Sequence, residues 1–417
     1  MIRRESEVEA AAGLSWQMQC AVFLLTAALV MARRPDLLTH AHFYAEDGAI
    51  WYADAYNHGW LHALTQPAGG YLNTLQRLVA SLSLLVPLRY APLLMNICGL
   101  TIQVLPVFFL LSSRCAHWWP LRLRLVQAAL YIEVPNEREI HIVLTNAPFH
   151  LALLAFLVAV AAPPNDWRWK TFDIAVLSIS ALSGPFCIVI LPLVMVFWWL
   201  KRERWSLVVM GVLCPLVAVQ VAKLFFGGYA GRAPAQLGAT PMLFFRLLTG
   251  HVYVGSVWGE NGFVTHARAA AVLLVMVAGT SVLVYALWRA GLELRLFTVF
   301  AMLLLAASLS KPLIGGALPQ WQLLAIDRSS RYWFFPMLAV LWSLLFCATQ
   351  QEDKFFRVAA RVMFLALLHG IVHDRRYPPF PDKNFQAFLE TYDAAPAGTL
   401  VQLPDSPPGL ISYLKKK

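Results

Sequence analysis

The chain has 417 residues, 59% of them hydrophobic and only 13% charged, with a mean hydropathy of +0.60. Soluble domains carry roughly 25% charged residues, so the composition excludes an ordinary soluble enzyme and fits a bundle of membrane-spanning helices. The net charge of +10 does not imply nucleic acid, because Lys and Arg punctuate the apolar runs as topogenic charges do.

The first apolar run, Trp16 to Met31, has no small-residue cleavage site and continues into Arg33-Arg34, so it reads as a retained signal anchor. Arg3 and Arg4 put its start in the cytoplasm, and the stretch HFYAEDGAIWYADAYNHGW then lies outside. It holds two adjacent carboxylates, Glu46 and Asp47, among many aromatics. Two amphipathic pieces, GAIWYADAYNHGWLHAL and LQRLVASLSLLVPL, read as helices lying in the interface.

Crossings then alternate. A run from Ala91 to Leu111 leads in to RCAHWWPLRLR, and the chain returns to YIEVPNEREIHIVLTN outside. FHLALLAFLVAVA goes back to DWRWK, and a hairpin turns outside at Ser183-Gly184-Pro185 before reaching KRER. The next run leads out to a polar loop, Gly227 to His266. Three further crossings and a last run, Val358 to Ile371, leave the tail outside.

The expectation is an all-α polytopic bundle of about eleven crossings, N-in and C-out, although LVQAALYIEV and DIAVLSISALS fall short of the roughly 20 residues a spanning helix needs. Residues 1–373 form the bundle, with a first external loop at 33–90, and 374–417 form a small external cap. TLVQLP in that cap reads as a short strand, and the final three lysines leave solvated disorder open as an alternative. Basic clusters fall inside and the acidic loops outside, the layout an external active site requires. The six cysteines lie in or beside apolar runs without a CxxC, which argues against a disulfide framework or a structural zinc site.

Several polar groups admit two readings. Asp47 fits an N-cap of the following helix, or a base that takes a proton from an acceptor hydroxyl or amine beside a lipid surface. Glu46 and Asp47 point differently if helical, so one of them is the base; either can instead bind a divalent cation, weakly with two carboxylates alone, and nothing in the sequence requires a metal. Arg77, in PAGGYLNTLQRL with Tyr71, binds a phosphate or snorkels to headgroups. Glu133, Asn136, Glu137 and Asn146 form a dense polar set, read either as functional or as ion pairs in a solvated loop. His141 and His150 read as interfacial residues, not metal ligands. Arg328 and Arg331 flank two serines outside the membrane, where a guanidinium fork suits a phosphate or an anionic lipid.

These features together resemble the GT-C class of polytopic glycosyltransferases. The acidic pair of AEDG, Glu46-Asp47, matches in position and type the pair those enzymes carry in the first external loop. Arg331-Tyr332 is similar to their late basic residue for the donor phosphate. The run Glu46-Asp47-Gly48, Gly70-Tyr71 and Arg77 resembles a set of bacterial membrane proteins associated with this class, and so does the ending LPDSPPGLISYLKKK, with PPGL in place of PPGW.

The resemblance implies an inverting transfer from a polyprenyl-phosphate-linked sugar to an envelope glycan, lipid or protein, at the periplasmic face of a bacterial inner membrane. Asp47 or Glu46 would be the base, and Arg331, Arg328, Tyr332, Arg77 and Tyr71 would bind the donor. No large soluble domain is evident, which points to a small or membrane-presented acceptor. The competing reading is a transporter or lipid flippase. It calls for acids at mid-membrane depth and repeated halves, and no internal repeat is visible.

Overall fold

The computed structural model describes residues 16–226, 236–314, 316–326, 330–381, 383–404 and 411–417. Its longer helices are α1 (Trp16–Arg33), α2 (Thr74–Ser83), α3 (Ala91–Leu110), α4 (Leu121–Ile132), α5 (Ala147–Val160), α6 (Trp167–Ala181) and α7 (Phe186–Lys201). They continue as α8 (Arg204–Phe226), α9 (Ala269–Arg289), α10 (Leu292–Ser310), α11 (Phe334–Thr349), α12 (Lys354–His373) and α13 (Phe385–Ala394). An antiparallel pair, β1 (Leu400–Leu403) with β2 (Ser412–Lys415), completes the tail.

Among the described residues, five helices are long and apolar enough to cross a membrane: α3 with the turn before it, α8, α9, α10 and α12. Their exposed surfaces are themselves apolar, including Leu274 and Val277 on α9 and Phe355, Leu365 and Val372 on α12. Such surfaces are stable only against hydrocarbon, so the chain is an integral membrane protein. The helices α5 and α11 are shorter and run through the centre: every residue of α5 except Phe149 is buried, and every residue of α11 except Phe346 and Thr349. Helices apolar on all sides belong in such a core.

Side-chain clamps gather the helix ends at two faces. At the first, Arg124 of α4 donates to the carbonyls of Leu110 and Ser112 and so satisfies the open end of α3. Nearby, Arg114 forks onto Asp173 of α6 and donates to Ala162 O at the end of α5, while Trp205 of α8 donates to Asp173. Arg289 and Glu352 pair at 3.3 Å across the α9 and α11 ends. This is the face of the basic clusters.

The second face carries the acidic loops. Arg33, at the end of α1, is buried and donates to Ile132 O (2.7 Å), Val134 O (3.0 Å) and Asp374 O (3.1 Å), joining the ends of α1, α4 and α12. Gln220 of α8 pairs with the backbone of Leu72, and Leu182 O accepts from Thr74 N. The expected break at Ser183-Gly184-Pro185 is there: α6 ends at Ala181, Gly184 adopts φ +126°, and α7 starts at Phe186.

The first loop is helical in pieces, Asp47–Tyr52, Ala53–His58 and Trp60–Thr65, broken at Gly59 with φ +91°. The described part of the polar loop expected at 227–266 folds into short helices, Pro241–Leu247, Leu248–Val254, Gly255–Trp258 and Phe263–His266.

The tail lies on the first loop. Phe385 packs edge-on against Phe43, Asn57 exchanges hydrogen bonds with Tyr413 O and Lys415 N, and the Tyr56 and Tyr392 hydroxyls bond. The expectation of a strand at TLVQLP matches β1. The three terminal lysines are ordered, with Lys415 and Lys417 exposed. Lys415 belongs to β2, Lys416 N donates to Thr399 O, and the Lys417 ammonium lies 4.3 Å above the Tyr56 ring.

Candidate active site

Two segments meet at the acidic face: residues 43–54 of the first loop and residues 136–146, between α4 and α5. Each turns through residues with positive φ, Ala45 at +50° in one and Asn136 at +59° and Ile142 at +69° in the other. For a β-branched residue such as Ile142 this conformation is strained, and its surroundings hold it there. Ile142 N donates to Gln103 Oε1 of α3. Its carbonyl nests on Gly99, where a Cβ would come within 1.8 Å.

Ala45 turns the chain so that Asp47 N bonds Tyr44 O and a helix starts at Asp47. Neither acid caps this helix. Asp47 is instead almost fully buried, its carboxylate facing the Leu144 and Thr145 amides, with Oδ1 lacking any partner. Burial, reinforced by the charge of Glu46, pushes its pKa well above the usual carboxylate value despite the two amides. Gly48 completes the turn: a Cβ there would lie 2.6 Å from Phe43 and 2.7 Å from Leu403.

Glu46 Oε2 accepts a hydrogen bond from the Thr145 hydroxyl at 3.0 Å, and that hydroxyl accepts from Trp51 Nε1 at 3.3 Å. Earlier in the segment that carries Thr145, Glu139 faces Arg331 of the late turn Ser330–Tyr332 at 3.7 Å. Glu139 is seated by Asn146, which donates to its carbonyl, and by Ser330, which accepts from its amide. Burial works against the Arg331 charge, but Tyr332, Glu139 and Glu46 outweigh it and raise the pKa above the ordinary arginine value. Tyr332 is fixed by the Leu313 amide, and Arg331 donates to Leu313 O.

Glu46 and the late arginine thus share one electrostatic neighbourhood, with Asp47 beside Glu46 and residues 139–146 as the bridge. Tyr44 lies in it as well. Its ring stacks on Phe380 at 3.8 Å, and its hydroxyl feels Glu139, Arg331, Arg34 and Glu46, though burial is the main cause of its raised pKa.

The remaining expected site residues lie nearby or form other layers. Arg77 neither reaches headgroups nor stands open to a phosphate: it is buried, its Nη1 is 3.0 Å from Asp54, and it lies 5.2 Å from the Trp51 ring. Tyr71 belongs to the turn Ala68–Tyr71, where Gly69 and Gly70 have positive φ. Glu133 pairs with Arg33 at 3.7 Å. Asn136 N donates to Asp374 Oδ2, which also receives Glu260 N. Glu137 is wholly buried, and burial, then Glu139, push its pKa well up against the opposing pull of Arg33 and Ser330. Arg328 lies outside the described residues.

His141 and His150, expected at an interface, are fully buried. His141 Nδ1 accepts from Gln103, and His150 joins Ile140 O to the Tyr131 hydroxyl. Among the described residues no group of three or more His, Cys, Asp or Glu is placed to hold a metal ion. Sequence reasoning missed Tyr44, Trp51, Glu139 and Thr145 as members of the site. Only Glu139 carried a signal, as part of the dense polar run.

No family model matches the chain, and no curated protein sequence matches it. A search of solved structures returns the archaeal oligosaccharyltransferase AglB from Archaeoglobus fulgidus, in complex with an inhibitory peptide and a dolichol-phosphate. The identity is 13% and the TM-score 0.44; the match covers 92% of this chain and 59% of that one, so the chain spans less than two thirds of its length.

Proposed function

We propose that the protein is an inverting membrane glycosyltransferase that moves a sugar from a polyprenyl-phosphate-linked donor to an envelope glycan, lipid or protein. The observation that carries this reading is the buried Asp47, raised in proton affinity, beside Glu46, whose charge also acts on Arg331. In the proposed step the acceptor oxygen or nitrogen attacks the anomeric carbon and its proton passes to Asp47. The bond from that carbon to the phosphate oxygen breaks, and its electron pair leaves with the polyprenyl phosphate. A base with raised proton affinity is matched to a hydroxyl that acidifies only as the new bond forms. Arg331, with Arg328 and Tyr332 nearby in sequence, meets the charge that develops on the phosphate.

The proposal includes about eleven crossings, N-in and C-out, with residues 1–373 as the catalytic bundle and 374–417 as its external cap. The gathering of basic clusters at one face and of the acid pair at the other supports this orientation. The location proposed is a bacterial inner membrane with the site facing the periplasm.

The test supplies purified wild type and Asp47→Asn with a panel of polyprenyl-phosphate sugars and a crude envelope fraction, and follows polyprenyl phosphate release by mass spectrometry. Release by the wild type alone is the expected result. Full activity in both Asp47→Asn and Glu46→Gln overturns the assignment of the base. A wild type that releases nothing from any donor overturns the reaction.

A further inference from the structure

Thr145 touches both acids. Its hydroxyl donates to Glu46 Oε2 at 3.0 Å, and its backbone amide faces the Asp47 carboxylate. It sits in the single turn Leu144–Asn146 that opens α5, the helix buried along almost its whole length, so its position is set by the centre of the bundle.

The direction of its hydrogen bond is settled by its other neighbour. Trp51 Nε1, 3.3 Å away, has a proton to give and no lone pair to offer, so the Thr145 oxygen must accept from it. The single hydroxyl proton is then left for Glu46. Trp51 is itself held from behind: it is buried, and Arg77 lies over its ring with Asp54 closing the ion pair. Arg77, Trp51, Thr145 and Glu46 therefore form one chain of contacts running from the α2 layer to the acid pair.

The geometry points to Thr145 as the positioning residue of this site. It pins one oxygen of Glu46, leaves Oε1 as the oxygen a substrate can meet, and orients Asp47 through its amide. Trp51 and Arg77 set the direction of that contact. This assignment rests on the glycosyl-transfer reading. It gives Arg77 a supporting place in the site in place of a phosphate contact.

The experiment measures kcat and KM for polyprenyl-phosphate sugar donors with the wild type, Thr145→Val, Thr145→Ser, Trp51→Phe and Asp47→Asn, each checked for a monodisperse profile in detergent. Loss of one hydrogen bond to a charged acceptor lowers kcat for Thr145→Val by about 10- to 100-fold with donor KM unchanged. Thr145→Ser, which keeps the hydroxyl, recovers to within about threefold of wild type. Trp51→Phe keeps Thr145 but removes the group that aims it, and falls between the two.

A Thr145→Val enzyme at wild-type kcat, beside an inactive Asp47→Asn, overturns the positioning role and leaves the glycosyl-transfer reading standing. A Thr145→Val enzyme that raises KM alone overturns the role equally. If Thr145→Val does not fold, Trp51→Phe decides, and full kcat in that variant overturns the proposal. A wild type inactive on every donor overturns both.

Discussion

Arg331 and Glu139 face each other at 3.7 Å, joining the late turn at Ser330–Tyr332 to the segment that also touches Glu46 and Asp47. The separation leaves the guanidinium short of a tight forked pair, and its side chain keeps 29% of its surface open. A phosphate oxygen arriving at that surface gains a charge-assisted donor. Arg331→Gln should therefore reduce donor turnover by about 10²–10³-fold, the usual cost of losing one donor to a developing oxyanion. Arg331→Lys should recover only part of it, because an ammonium lacks the planar fork. Turnover kinetics on the active donor check both, and wild-type rates in Arg331→Gln would remove the residue from the site.

Asp47 should impose a visible pH dependence. Its pKa is raised from an ordinary value of 3.8, chiefly by burial and then by Glu46. The base of the proposed transfer must be ionised to act, so kcat/KM should rise with pH along a limb that lies above the usual carboxylate range. The rate–pH profile of the wild type measures this. A limb centred near the ordinary value of 3.8 would mean that Asp47 is solvated in the working protein.

Glu137 tests the same physics through stability. Its folded pKa is raised above the ordinary 4.5, so the folded state holds a proton that the unfolded chain has already lost. The stability this contributes is present below the unfolded pKa and is lost as pH rises through the folded one. Wild-type protein should lose thermal stability relative to Glu137→Gln as pH rises above the ordinary 4.5 and through the raised folded pKa, and the variant should show the flatter curve. Detergent unfolding midpoints at several pH values give the comparison. Parallel curves would show that Glu137 finds a partner in solution.

How far the sequence was legible follows from which forces act locally. Apolar length announced α3, α8, α9 and α10, and Gly184-Pro185 announced the break before α7, because both signals are written within one segment. Burial of Arg33, His141 and His150 was not legible, since it depends on carbonyls and hydroxyls supplied by other parts of the chain. The acid pair was visible as a motif. Thr145 was not: a lone threonine at the start of an apolar helix gains meaning only when Glu46 and Trp51 are folded against it. Arg77 was visible as a charge, but Asp54, which neutralises it, lies 23 residues away.

Asp374 should be a stability residue. Its carboxylate receives Asn136 N at 2.6 Å and Glu260 N at 3.0 Å, tying the 136 turn and the 259–262 turn to the end of α12. Asp374→Ala strands two amides at about 1–3 kcal/mol each, so the unfolding midpoint should drop clearly. Asp374→Asn keeps an acceptor oxygen and should lose less. A wild-type midpoint in Asp374→Ala would show that water replaces the carboxylate without penalty.

Gly48 links the acid pair to the tail. An alanine Cβ there would meet Phe43 at 2.6 Å and Leu403 at 2.7 Å, both closer than carbon atoms approach, so one of the two must move. Phe43 is packed by Tyr52 and Phe385, while Leu403 stands in β1, held to the rest of the tail by a two-stranded pair. The tail is the weaker neighbour, because a two-stranded ribbon is marginal without a surface to pack on. Gly48→Ala should therefore cost about 1–3 kcal/mol of packing and release the tail first. Limited proteolysis should show faster cleavage around Pro404 in the variant, with the helices intact. Adding Leu403→Ala removes one of the two clashes and should restore part of the protection. Asp47 is the adjacent residue in the same turn, so transfer activity should fall in Gly48→Ala and recover along with the tail in the double variant. Slow cleavage together with lost activity would instead place the strain in the turn around Asp47.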